Sequence, residues 1–320
     1  MKAIVYEKYG SPDVLHIADV PKPQPKKGEV LVRIRATAVN SADWRLRKAD
    51  PFLVRLMFGF FKPRIKILGI VLSGVVEDMG SDVTRFQVGD EIFGLTPTAI
   101  LGCNAEYLAL PETSALALKP QNLSHEEAAC LPFGGHTALH FLKKADLQAG
   151  QRVLIYGASG AVGTAAVQLA KYYGATVTAV CGPSNVDLVK ALGADEVIDY
   201  TKTDLGAIKE RFDVVIETVN KAPVAKVAAL LQPGGTMVLA AAMLKEVFQG
   251  LWIMFTRKIK LLAGEVQVTH EDMVFLKTLA EAGKLKAPID RTYSMAQIPE
   301  AHAYVEQGHK RGNVAITIAQ

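Results

Sequence analysis

Cysteine is scarce. Cys103, Cys130 and Cys181 are the three in 320 residues, and they lie far apart. Scattered thiols of this kind form no paired framework, which points to a reducing cytoplasm. Charge of one sign is also lacking: 36 Lys and Arg against 32 Asp and Glu leave a net charge of +4, with the bases dispersed. Nucleic acid is therefore not an expected partner. Long apolar runs free of charge are missing too. Phe52–Phe61 and Leu251–Lys258 are apolar and aromatic, but Arg55 interrupts the first and Lys62, Arg64 and Lys66 follow it. Neither is expected to span a membrane. Pocket lining and interface packing are their expected uses, with peripheral membrane contact ranked below. Met1-Lys2-Ala3-Ile4-Val5-Tyr6 reads as an edge strand, without the apolar core and cleavage site of a signal peptide.

What is present is enough hydrophobic residue, 50% of the chain, for two sizeable cores. The densest signal is Gly157-Ala158-Ser159-Gly160-Ala161-Val162-Gly163, directly behind the apolar run Arg152–Tyr156. A buried strand feeding a glycine turn and then a helix aims free backbone N–H groups and the positive helix end at one point, which suits a dinucleotide pyrophosphate. A structural reading, in which the glycines only allow tight packing, competes with this one. The context decides between them. A helix over Ala161–Tyr173 ends at Gly174, and strands are predicted at Thr176–Cys181, Glu196–Asp199, Asp213–Glu217, Thr236–Ala240 and Leu261–Val266. Helices over Asn185–Leu192 and Ala222–Leu231 separate some of them. This alternation predicts an α/β fold with a Rossmann doubly wound parallel sheet.

The end of the second strand addresses which dinucleotide is bound. A site for NADH places an acid there to hold the ribose 2′-hydroxyl. Here the residues are Cys181-Gly182-Pro183-Ser184-Asn185, with no carboxylate to repel a 2′-phosphate. Ser184 and Asn185 can donate hydrogen bonds, and Tyr200 and Lys202 follow the third strand. NADPH is the expected cofactor, although Ser184 could instead cap the helix near Asn185. The first part of the chain reads differently. In Glu29–Ala36, Val32, Ile34 and Ala36 alternate with Arg33 and Arg35, as in a half-buried antiparallel strand. Further short strands at 68–79, 91–93 and 106–110 make this part β-rich, and Ser124-His125-Glu126-Glu127 opens a helix with a capping box.

The ordered set Met1-Lys2-Ala3, Val39-Asn40-Ser41-Ala42-Asp43, Gly89-Asp90-Glu91-Ile92-Phe93-Gly94, Ala105-Glu106-Tyr107, Ala128-Ala129-Cys130-Leu131-Pro132 with Thr137-Ala138, Leu192-Gly193-Ala194-Asp195, Pro233-Gly234-Gly235 and Arg311-Gly312-Asn313-Val314 resembles the medium-chain dehydrogenase/reductases. The resemblance spans essentially the whole chain. It is strongest to the zinc-independent quinone oxidoreductase branch, which is zeta-crystallin-like and includes NADPH-dependent enone and alkenal reductases. It implies a GroES-like catalytic domain of residues 1–122 plus 267–320, with a Rossmann domain of residues 123–266 inserted and the active site in the cleft.

The resemblance also implies roles for single residues. Asn40 matches an asparagine beside nicotinamide and substrate, Thr137 a threonine against the cofactor, and Asn313 a residue on the nicotinamide side. With the turn residues Gly157, Ser159, Gly160, Ala161, Val162 and Gly163, and with Ser184, Asn185 and Tyr200, these make the expected site. No metal is expected. The first family zinc ligand would fall around Asn40–Asp43 and the second near Gly69-Ile70-Val71, where no cysteine or histidine stands. Without a metal, conjugated acceptors are favoured, because charge left by hydride addition delocalises. The expected reaction is reduction of a quinone or an α,β-unsaturated carbonyl by a homodimer. Arg45 and Pro51 stand where quinone reductases often carry tyrosines, leaving the proton donor open. A non-catalytic NADPH-binding protein of the same fold is the alternative.

Overall fold

In Glu29–Ala38 the alternation is realised in three dimensions: Val32, Ile34 and Ala36 are fully buried, while Arg33 and Arg35 are half-exposed. The computed structural model describes residues 1–97, 99–241, 243–264 and 266–318. In chain order it starts with β1 (Lys2–Val5), β2 (His16–Asp19), β3 (Glu29–Ala38), α1 (Ser41–Lys48), α2 (Val54–Phe58), β4 (Val71–Met79), β5 (Glu91–Leu95), β6 (Tyr107–Pro111) and β7 (Ala115–Leu118). Helix α3 (His125–Lys144) follows. Its capping box is formed: Glu127 N–H donates to Ser124 Oγ at 3.2 Å, and Ser124 N–H donates to Glu127 Oε2 at 2.9 Å.

Then come β8 (Arg152–Tyr156), α4 (Ala161–Tyr172), β9 (Thr176–Cys181), α5 (Val186–Ala191), β10 (Glu196–Asp199), β11 (Phe212–Glu217), α6 (Val224–Ala229), β12 (Leu231–Leu239), α7 (Leu244–Arg257) and β13 (Lys260–Ala263). The chain finishes with α8 (His270–Glu281), β14 (Ile289–Ser294), α9 (Ile298–Glu306) and β15 (Asn313–Thr317). Contacts group it into two units, Met1–Phe133 with Val268–Gly283 and the segment from Ala287 on, and Gly134–Gln267 with Lys284–Lys286. The division falls inside α3.

In the first unit one sheet runs β14-β15-β3-β4-β5-β7, with β6 also paired to β3. The C-terminal strands thus complete the sheet begun by the N-terminal ones. Strand β15 lies antiparallel to β3, with Ala315 opposite Ala38. Strand β1 pairs with β2 in a separate two-stranded ribbon.

In the second unit the sheet is parallel throughout, in the order β10-β9-β8-β11-β12-β13. Sequence order reverses between β8 and β11, which is where doubly wound sheets open a crevice at the carboxyl ends of their strands. The inner strands carry apolar runs, Val153–Ile155 in β8, Val214–Ile216 in β11 and Met237–Leu239 in β12, because both sheet faces are covered there. Val153, Leu154, Ile155, Val215, Met237 and Val238 show no exposed surface.

Three elements differ from the sequence expectation. Pro233-Gly234-Gly235 lies within β12, which starts at Leu231 and carries a register irregularity opposite Phe212 and Val214, rather than preceding a strand at Thr236. Helix α5 begins at Val186 behind a single 3-10 turn over Pro183–Asn185. Ser184 makes no capping hydrogen bond there, so the capping role considered for it is not used. The last parallel strand is Lys260–Ala263; its expected extension includes Glu265, which lies outside the described residues.

Candidate active site

The glycine turn sits at the carboxyl end of β8, on the switch point. Gly157 has φ +80°, and a Cβ on it would meet Thr218 Oγ1 at 2.6 Å. A Cβ on Gly163 would meet Gly157 O at 2.2 Å, so α4 can pack on the turn only without a side chain there. Gly160 is different. It is the N-cap of α4, its backbone is extended, and a Cβ would meet nothing closer than Gly157 O at 3.6 Å. The fold itself does not require glycine at this position. Open space in front of a helix N-terminus is the cradle that a pyrophosphate needs. Ala161 and Val162 begin α4 and present their N–H groups at the same end.

The end of β9 joins this turn. Asn185 Nδ2 donates to Ser159 Oγ at 3.2 Å, so two predicted residues from separate loops meet. Asn185 Oδ1 is buried and has no partner among the described residues. Tyr200 follows β10, is half-exposed, and places its hydroxyl next to Gly182. Ser184 is exposed beside them, and Lys202 is exposed two residues past Tyr200. No carboxylate stands in Cys181–Asn185.

Glu217 escaped the sequence reading. It ends β11 at the switch point and is 2% exposed, and its carboxylate accepts from the N–H groups of Val219 (3.2 Å), Asn220 (2.8 Å) and Lys221 (3.1 Å). Burial pushes its pKa up, and those N–H groups oppose the shift. Thr218 Oγ1 donates to Tyr156 O at 2.9 Å and to Gly157 O at 3.2 Å, so the loop Glu217 holds is fastened to the glycine turn. An acid closing the apolar run Val214–Ile216 was the available signal.

In the first unit, Asn40 and Asn313 come together. Val39 N–H donates to Val314 O at 3.0 Å, and extending the β3–β15 register two residues sets Asn40 opposite Asn313. Asn40 is 2% exposed and leads into α1; its Nδ2 makes one long bond, 3.4 Å, to Ala38 O. Asn313 is also 2% exposed: Nδ2 donates to Pro288 O at 3.1 Å, while Oδ1 has no partner among the described residues.

Asp43 holds the Asn40 backbone. Its Oδ2 accepts from Asn40 N–H at 2.8 Å and its Oδ1 from Gly69 N–H at 3.2 Å. Full burial pushes this carboxyl up to about 7, against the pull of the N–H donors. Asn104 lies against Gly69, buried, with both amide atoms unpartnered among the described residues. Nothing in its local pattern marked it. Thr137, in the part of α3 belonging to the second unit, is half-buried.

The segments at the family zinc positions, Asn40–Asp43 and Gly69–Val71, hold an amide, a hydroxyl, hydrocarbon side chains and one carboxylate, Asp43, whose oxygens accept from the Asn40 and Gly69 N–H groups. This set offers no thiolate or imidazole and does not fit a tetrahedral zinc site. Among the described residues no group of three or more His, Cys, Asp or Glu gathers as metal ligands would.

Two stretches of the chain match known domain families. An alcohol dehydrogenase GroES-like domain matches residues 26–121, and a zinc-binding dehydrogenase domain matches residues 192–316. The chain is 34% identical over 331 residues to a 2-methylene-furan-3-one reductase of Solanum lycopersicum, covering 99% of this chain and 79% of that protein. It is also 34% identical over 339 residues to the chloroplastic quinone-oxidoreductase QR1 of Triphysaria versicolor, covering 99% and 98%. The solved quinone oxidoreductase of Coxiella burnetii superposes with a TM-score of 0.91 at 30% identity, covering 100% of this chain and 99% of that one. The fold is therefore a Rossmann-type parallel-sheet domain within a GroES-like β-rich domain. The chain belongs to the medium-chain dehydrogenase/reductase superfamily, in its branch of quinone oxidoreductases and enone reductases, a family of nicotinamide-dependent oxidoreductases.

Proposed function

We propose that the chain is an NADPH-dependent reductase of quinones or α,β-unsaturated carbonyls that works without zinc. The observation that carries this reading is the switch point. There the α4 N-terminus faces open space at Gly160, beside a β9 end with no acid. Ala161 and Val162 N–H groups, with Ser159, hold the pyrophosphate. Ser184, Asn185 and Tyr200 receive the 2′-phosphate side, where an acid would repel two negative charges. Glu217 keeps the loop over the turn in place. Asn40, Asn313 and Thr137 orient the nicotinamide and the acceptor, with Asn40 fixed through Asp43.

When bound, NADPH supplies a hydride, and a conjugated acceptor takes it with its charge delocalised. The chain then has to position and donate hydrogen bonds rather than polarise an isolated carbonyl. Zinc independence is supported by Asn40–Asp43 and Gly69–Val71, which bring no thiolate or imidazole to the family zinc positions. Cys103, Cys130 and Cys181, all free and buried, suit a reducing cytoplasm. Strand β13 leaves one edge of the parallel sheet unpaired among the described residues, and we assign a homodimer to pairing there. Among the described residues no helix is long and apolar enough to cross a membrane.

The test is NADPH oxidation by purified protein against a benzoquinone, a phenanthrenequinone, acrolein, a long 2-alkenal and a cyclic enone, each repeated with NADH. Turnover preferring NADPH is the expected result, and the best acceptor separates quinone from enone reduction. Tight NADPH binding with no turnover on any acceptor would favour the non-catalytic reading, to which the missing tyrosines at Arg45 and Pro51 point.

A further inference from the structure

Four neighbouring strands of the first unit, β15-β3-β4-β5, floor a cavity of about 420 Å³, and the first turn of α3 forms a wall of it. Small-molecule sites run from roughly 300 to 1,000 Å³, so the space suits a small ligand. Arg35 reaches it from β3. The β3–β4 register breaks between Ile34 and Ala36, which leaves Arg35 as an extra residue, and such a bulge re-aims a side chain. Glu91 on β5, Thr317 at the end of β15, and His125 and Glu126 on α3 supply the other polar groups.

Most of the charge around the cavity is already engaged. Glu91 Oε2 lies 3.2 Å from Lys119 Nζ, and its Oε1 lies 3.3 Å from His125 Nε2. Lys119 Nζ also donates to Pro120 O at 3.2 Å and to Leu123 O at 2.7 Å, which uses its three protons. His125 Nδ1 lies 2.8 Å from the buried Ser73 Oγ, so the imidazole ties the α3 wall to β4 and β5. Glu127 is taken by the capping box, and Arg33 pairs with Glu77 at 3.5 Å. Two groups remain. The half-buried Arg35 guanidinium makes no hydrogen bond or ion pair among the described residues. Glu126 accepts from Thr317 Oγ1 at 3.0 Å through Oε1 and meets no cation among them. Both line the same cavity without pairing with each other.

These two charges select the ligand. An anion alone would meet Arg35 but face Glu91 and Glu126, and a cation alone would meet Glu126 but face Arg35. A molecule carrying both signs answers both walls, with its carboxylate on the fork of the guanidinium and its ammonium on Glu126 Oε2. Val75 and Ile318 add hydrocarbon to the lining, which an aliphatic side chain would cover. We propose that this cavity binds a small aliphatic α-amino acid as its zwitterion. The site lies wholly within the first unit and uses none of the residues assigned to the reductase reading.

The test is calorimetric titration of the native protein with L-leucine, with isocaproate, which lacks the ammonium, and with isoamylamine, which lacks the carboxylate. Saturable leucine binding is the expected result, with each singly charged analogue at least about tenfold weaker. Arg35→Met and Glu126→Gln each weaken leucine by at least about tenfold. Glu126→Gln keeps an acceptor for Thr317, and circular dichroism confirms that both variants are folded. Folded native protein that shows no saturable binding at millimolar leucine overturns the proposal. So does an analogue that binds as well as leucine, which identifies a simple ion site. A melting temperature that drops in each single variant and no further in the double, with no leucine bound, overturns it too, because Arg35 and Glu126 then pair with each other across the cavity. NADPH turnover without leucine is read separately, so the two accounts fail independently.

Discussion

At Gly160 and Gly163 the same residue type answers two different demands, and substitution separates them. A Cβ on Gly163 would lie 2.2 Å from Gly157 O, so Gly163→Ala should lose about 1–3 kcal/mol of stability in urea unfolding. Gly160→Val places its side chain in open space, so the melting temperature should hold while the NADPH dissociation constant rises at least about tenfold. At the β9 end, Ser184→Asp should turn selectivity from NADPH toward NADH by roughly 10- to 100-fold in relative catalytic efficiency, because the new charge repels the 2′-phosphate. Asp43 makes a pH prediction. Its folded carboxyl titrates near 7, above an unfolded aspartate near about 4. The folded chain therefore binds the extra proton across this window. Stability from this group is complete below about pH 4 and is lost as pH rises through 7. Asp43→Asn lacks that proton, so its melting temperature should fall less between pH 4 and 7 than that of the native chain.

Among the elements, the inner parallel strands β8 and β11 were legible because burial on both faces leaves apolar runs at Val153–Ile155 and Val214–Ile216, and β3 because Arg33 and Arg35 mark its outer face. The Pro233-Gly234-Gly235 stretch misled, since the same residues that make a turn also make a strand irregularity, and only pairing to β11 distinguishes them. Helix α7 showed as an apolar run because its solvent-facing residues are as apolar as its packing face. The loop after β11 was invisible because it depends on a contact geometry, one carboxylate under three N–H groups, that no sequence period encodes. Glu217→Ala leaves those donors without their acceptor and should cost about 1–3 kcal/mol in urea unfolding. Glu217→Gln keeps one carbonyl acceptor and should cost less.

For the whole molecule, the long-range return of β14 and β15 to the first sheet could not be read from any local pattern. It entered through resemblance and is seen in the pairing of Ala315 with Ala38. That return brings Asn313 opposite Asn40, residues 273 positions apart in the chain by the difference of their numbers. The glycine turn of the second unit was read locally, since strand, turn and helix are consecutive. The most direct test of the combined account is NADPH oxidation, with the best acceptor of the panel, by chelator-treated native protein beside Gly160→Val of equal melting temperature. The account predicts undiminished turnover by the native chain after metal removal and at least about tenfold lower catalytic efficiency in the variant. Activity lost on chelation and restored by zinc, or equal efficiency in both proteins, would contradict it.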